Sequence, residues 1–249
     1  MESLKRTTMM LLVVICLHST LYAQNLNDLT YQAYLTGSLE LWQKAIDQVQ
    51  GQLKHDPENK MLLFDLAMIQ YGLLNSTMAT KDEPTFDQYV DETKELLERL
   101  IEADKKWAEP RAILSSVYGL QMGYSPWKGM FLGSKSSSLM DKAMKLNDQS
   151  PLVVKLYAGS KLFTPEMFGG DIQDAANSYE NCIKLYEKQP DGTKLNWLYL
   201  DALAFLGQSY SKLEKHKMAI SAYEKALEHE PEFNWVKYGL LPGAQSKIN

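Results

Sequence analysis

Residues 200–231, LDALAFLGQSYSKLEKHKMAISAYEKALEHEP, constrain the fold more than any other stretch of the chain. Leu200, Leu203, Leu206 and Tyr210 recur at helical spacing, and Ala219, Tyr223, Ala226 and Leu227 do the same in the next segment. Between them, residues 213–217 are short and polar, so the spacing predicts two helices folded back on one another. Gly207 lies inside the first helix, where it costs about 1 kcal/mol relative to Ala. A glycine is tolerated there where no side chain fits. Gly207 and Ala219 therefore mark a close helix crossing, Tyr223 fills the space beside them, and Pro231 ends the unit. A hairpin of this size buries its apolar face only against a neighbour, which points to a stacked array with a cap at its end.

At Leu203, Leu206, Gly207, Tyr210, Ala219, Tyr223, Ala226 and Pro231 the stretch resembles a tetratricopeptide repeat, in residue type and in spacing. Looser copies lie upstream. In residues 151–190, Ala158-Gly159 stands for Leu-Gly, with Ala175, Tyr179 and Cys182 on the second helix; Ser150-Pro151 is a helix start. Residues 108–148 echo the pattern with Tyr118-Gly119 and Ala143, and residues 59–104 pair an apolar helix with an amphipathic one. In residues 27–57, Trp42, Ala45, Ile46 and Val49 form an apolar stripe. No stretch alternates as a strand does. The expected fold is all-α, with about five such hairpins and a capping segment over residues 233–241, in which Trp235, Val236, Tyr238 and Leu240 supply the cap. The resemblance implies a right-handed α-superhelix, its concave face lined by the first helix of each pair.

Residues 1–23 read as an export signal: Lys5 and Arg6, then the apolar run MMLLVVICL, then Ala23, with the run too short to span a bilayer. The expected division is a leader at 1–23 and a repeat domain at 24–249, located in the periplasm of a Gram-negative bacterium. Beyond the leader only Cys182 remains, so no intramolecular disulfide is expected. The net charge of −5 argues against nucleic acid as a partner, and the chain as a whole is not one that an anionic membrane attracts.

The sequence offers no catalytic constellation. There is no HExxH, no zinc-type cysteine pair, no G-x-S-x-G, and Gly169-Gly170 lacks the Lys-Ser/Thr of a phosphate loop. His55 and His229 precede unit-ending prolines, and His216 lies in a polar turn. The scattered acidic residues read as solvated helix faces. The expected function is a non-catalytic scaffold for a protein or peptide in the cell envelope, without cofactor or metal. The alternative is a small-molecule-binding component associated with a transporter.

Two surfaces compete for the binding role. By the resemblance, the first helix of the 200–231 unit turns Asp201, Ala204, Gln208, Ser211 and Lys212 toward the concave groove. The second surface is an edge formed by three long connections within pairs, at 75–87, 123–136 and 163–171, which a stacked array places side by side. They carry Met78, Phe86, Tyr124, Trp127, Met130, Phe131, Met167 and Phe168. These side chains either fold inward over the helix ends or form an aromatic rim for a partner. The candidate binding residues are Tyr124, Trp127, Phe131, Met167, Phe168, Asp201 and Gln208.

Overall fold

The computed structural model describes residues 25–248, so the expected leader lies outside the described residues. Residues 25–36 form α1. There follow α2 (Leu39–Leu53), α3 (Lys60–Thr80), α4 (Glu83–Ala103), α5 (Glu109–Tyr124), α6 (Gly129–Leu146), α7 (Pro151–Phe163), α8 (Ile172–Glu187), α9 (Trp197–Lys212), α10 (His216–His229) and a short α11 (Leu241–Gln245). The described residues contain no strand. The helices begin where a short polar side chain can take up free backbone N–H groups. Ser38, Asn59, Asp82, Ser150, Asp171 and Asn196 each accept from an N–H of the helix that follows.

Consecutive helices pack pairwise, α3 with α4, α5 with α6, α7 with α8, and α9 with α10. In addition α3 packs on α5, α5 on α7, and α7 on α9. The first helices of the pairs therefore form a continuous inner layer, and α4, α6, α8 and α10 lie outside it. That asymmetry curves the stack into a superhelix. The apolar stripe of α2 (Trp42, Ala45, Ile46 and Val49) is fully buried.

Close crossings are set by glycines facing aromatic rings. A Cβ built on Gly207 would stand 2.2 Å from Tyr223 Cε1, and one on Gly72 would stand 2.4 Å from Trp42 Cη2. At Gly159 it would lie 3.3 Å from the Tyr179 hydroxyl. Gly119 breaks the analogy. It is exposed, and nothing lies within 4 Å of its Cβ position, so Tyr118-Gly119 is not a crossing of this kind.

Two further expectations need correction. The connection at 75–87 is not a long loop. Helix α3 continues to Thr80, the left-handed Lys81 (φ 58°) reverses the chain, and Asp82 caps α4. Phe86 is buried within α4, and Met78 is half-buried on α3. The C-terminal cap is built by Phe233, Val236 and Ala244, whereas Trp235 and Tyr238 are exposed. A wide π-type turn, Trp235–Leu240, leads into α11 with Pro242 in its first turn, where a missing N–H does no harm.

Candidate partner-binding surface

The inner face of the superhelix is already half occupied by the chain itself. Tyr34 of α1 donates from its hydroxyl to Asp201 Oδ1 at 2.8 Å, and its ring lies 5.5 Å from Trp197 and 5.6 Å from Phe233. One turn earlier, the Tyr31 hydroxyl donates to Glu230 Oε2 at 3.0 Å. Trp197 also meets Trp42 edge-on at 5.4 Å and Tyr71 at 6.4 Å. Helix α1 thus ties the first pair to the last across the inner layer.

Asp201 does not line an open groove. It is buried, and its other oxygen pairs with the buried Lys155 ammonium at 2.5 Å. Lys155 Nζ lies 5.7 Å from the Trp197 ring centre and 6.0 Å from that of Tyr71. Burial is the strongest single influence on Lys155 and would lower its pKa; the charge and hydrogen bond of Asp201, together with the nearby Tyr71 and Cys182, jointly outweigh it and hold the ammonium above its ordinary range. Burial and the same carboxylate keep the Tyr34 phenol well above its ordinary value, so it stays a donor. This buried pair and the Tyr34 hydroxyl satisfy one another. They make Asp201 an anchor for α1.

The C-terminal half of α9 is not covered in this way. Phe205, one turn beyond Asp201, is half-buried and meets Phe163 edge-on at 5.2 Å and Trp235 at 5.6 Å. Phe163 is 60% exposed and Trp235 40%. Gln208 sits beside this row, half-buried. Ala204 is fully buried, Ser211 half-buried, and Lys212 exposed. The row Phe163–Phe205–Trp235 was not foreseen. The signal for it was the large ring of Phe205 among the small and polar residues expected on that face of α9.

The expected edge exists at two hairpin ends. Between α5 and α6, a 3₁₀ turn at Pro126–Lys128 carries Trp127, which is 62% exposed; Met130 and Phe131, in the first turn of α6, are 78% and 64% exposed. Between α7 and α8, a 3₁₀ turn at Glu166–Phe168 carries Met167 and Phe168, which are 82% and 70% exposed. These rings point outward. Tyr124 does not: its ring packs on Phe86 at 4.5 Å, and its hydroxyl donates to the Thr77 carbonyl at 2.8 Å. The 164–171 turn is rigidly built. Gly169 has φ +94°, and a Cβ on Gly170 would lie 1.7 Å from the Thr164 carbonyl oxygen. Asp171 accepts from the Asp174 N–H at 2.9 Å and caps α8. Because α5 and α7 pack side by side as first helices of adjacent pairs, their C-terminal ends and both tips lie along one edge.

Two surface clefts accompany these features. One, of about 300 Å³, lies among Glu180, Lys184, Glu187, Tyr210 and Lys225; the other, of about 530 Å³, lies around Met61, Trp107 and Leu146. Among the described residues no group of three or more His, Cys, Asp or Glu is placed to hold a metal ion.

The comparisons agree with this geometry. The family model described as tetratricopeptide repeat matches residues 200–233. The chain carries a tetratricopeptide repeat. The tetratricopeptide fold also extends well beyond that unit. A thermophilic tetratricopeptide-repeat protein of Thermus thermophilus is 17% identical, with a TM-score of 0.59 over 90% of this chain and 98% of that one. The HusA haemophore of Porphyromonas gingivalis is also 17% identical, with a TM-score of 0.60 over 77% of this chain and 94% of that one. No curated protein matches the chain in sequence.

Proposed function

We propose that the chain is a non-catalytic scaffold of the bacterial cell envelope that holds a segment of a partner protein on the uncovered half of its inner face. The observation that carries this reading is the row Phe163–Phe205–Trp235. Three rings are held edge to edge by three successive inner elements, and two of them are largely open to solvent. Aromatic anchors of limited rotamer freedom are what interface centres use. Gln208 beside the row offers a donor and an acceptor to an extended backbone. The placement in the envelope rests on the export pattern of residues 1–23.

The test is purification of the tagged chain from its native envelope, in wild-type form and as Phe163→Ala/Trp235→Ala. A stoichiometric protein that is retained by the wild type and lost from the variant supports the proposal. Recovery of the chain alone, or of a partner indifferent to the variant, overturns it. A small molecule retained in native mass spectra would favour the small-molecule alternative.

A further inference from the structure

We propose that the tip between α5 and α6 is a docking point for an anionic lipid surface, separate from the peptide face on α7 and α9. The tip is rigid at its base and bare at its end. Tyr124 is fixed between Phe86 and the Thr77 carbonyl, and the Ser115 hydroxyl donates to the Ser136 carbonyl at 2.8 Å, tying α6 to α5. Beyond these ties, Leu132 and Leu139 of α6 rest partly against the core and Met140 and Ala143 are buried toward its other end, while Met130 and Phe131 in its first turn stay exposed. Trp127 and Phe131, four residues apart, lean edge-on at 6.3 Å with Met130 beside them. The neighbouring tip carries the exposed acids Glu166 and Asp171 beside Met167 and Phe168, so the lipid contact is confined to the α5–α6 tip.

The charge pattern selects the partner. The chain is acidic overall, yet no Asp or Glu occurs between Glu109 and Asp141, while Lys128 and Lys135 flank the exposed rings. No ion pair among the described residues engages either lysine. An acid-free, lysine-bearing tip complements anionic headgroups even though the chain as a whole does not. Its lysines can extend to the phosphates while Trp127, Met130 and Phe131 enter the boundary between headgroups and acyl chains. Rings on a projecting tip have no walls of their own. A protein partner would need a preformed socket for each of them, whereas a fluid interface needs none. No described helix is long and apolar enough to cross a membrane, so the contact is peripheral.

The experiment uses the full chain with vesicles of phosphatidylcholine alone or with one third phosphatidylglycerol, some carrying brominated acyl chains. The apolar run of residues 9–17 is present in every variant, so the readout is the difference between variants. Brominated anionic vesicles should quench the tryptophan emission of wild type. Trp127→Phe should abolish most of that quenching, because Trp235, the other exposed tryptophan among the described residues, lies on the C-terminal cap against Phe205 and Phe233. Lys128→Glu/Lys135→Glu should weaken binding to anionic vesicles by more than about tenfold. It should leave the circular dichroism unchanged, since both side chains lie outside the core. The proposal is overturned if wild type shows no quenching, if quenching persists in Trp127→Phe, or if the charge reversal leaves affinity unchanged.

Discussion

Replacing Gly207 by Ala adds one methyl group at the crossing of α9 and α10. The new carbon would lie 2.2 Å from Tyr223 Cε1 and 2.6 Å from Cδ1 and Cζ. Carbon atoms prefer about 3.5–4.0 Å, and Tyr223 is fully buried, so the ring cannot swing into solvent. The helices must separate or the ring must leave its rotamer, at a cost of about 1–3 kcal/mol. The better helix propensity of Ala offsets about 0.5–1 kcal/mol of this, leaving a net loss of up to about 2.5 kcal/mol. Gly119→Ala is the matched control, because it makes the same chemical change at an exposed helical site with nothing within 4 Å. It should stabilise by about 0.5–1 kcal/mol. In a chain of this size about 2–4 °C of Tm accompanies each kcal/mol. Thermal unfolding followed by circular dichroism should therefore show Gly207→Ala lower by up to about 10 °C and Gly119→Ala higher by about 1–4 °C. A Gly207→Ala that stabilises as Gly119→Ala does would refute the close-crossing argument.

Three other outcomes follow from the buried groups. Lys155→Met strands the Asp201 carboxylate and should destabilise by about 3–5 kcal/mol; Lys155→Met/Asp201→Leu should recover much of that loss, as urea unfolding of both variants would show. Tyr34→Phe removes a hydrogen bond to a buried charge, costing about 1.5–3 kcal/mol; amide exchange should speed up in α1 more than in α5 or α7, and uniform acceleration would count against a local anchor. Burial pushes the carboxyl of Asp65 up to about 6, above its value in the unfolded chain, so the folded form holds a proton that the unfolded form has released. The resulting stability is full at about pH 4 and lost as pH rises through about 6, so Asp65→Asn should exceed wild type by roughly 1–3 kcal/mol at pH 7.5 and match it at pH 4. Paired denaturation curves at the two pH values check this.

The parts of this architecture that are local were legible in the sequence. Helical periodicity, the Gly207–Tyr223 crossing and the caps at Ser150 and Asp171 each depend on residues within one hairpin, and the spacing carries them. The connection at 75–87 was misjudged because Asn75–Thr80 looks like turn chemistry. In the fold its polar groups bond within α3 and to α2; the Asn75 amide reaches the Tyr71 carbonyl, and Ser76 accepts from Trp42 Nε1 at 2.8 Å. The site was less legible for a different reason. Asp201 reads as a polar groove residue, and only the approach of Lys155 and Tyr34 from elsewhere in the chain makes it an anchor. Whether the side chains of Trp127, Phe131, Met167 and Phe168 point inward or outward depends on which helix ends lie beneath them, and hydrophobicity alone carries no such information.

The bonds from Tyr31 and Tyr34 span 199 and 167 residues. A stack of repeats with free ends can fray one unit at a time, because each unit depends only on its neighbours. Here the first described helix and the last hairpin are each other's neighbours, and the linear array becomes a closed circuit. Loss of the terminal hairpin uncovers α1, and loss of α1 uncovers Trp197 and Phe233. Fraying at either end is then coupled to the other, and unfolding should be more nearly all-or-none than helix count alone would suggest. During synthesis α1 emerges before the other described helices but cannot dock until the chain beyond Phe233 has appeared, so the first described helix is among the last to find its place.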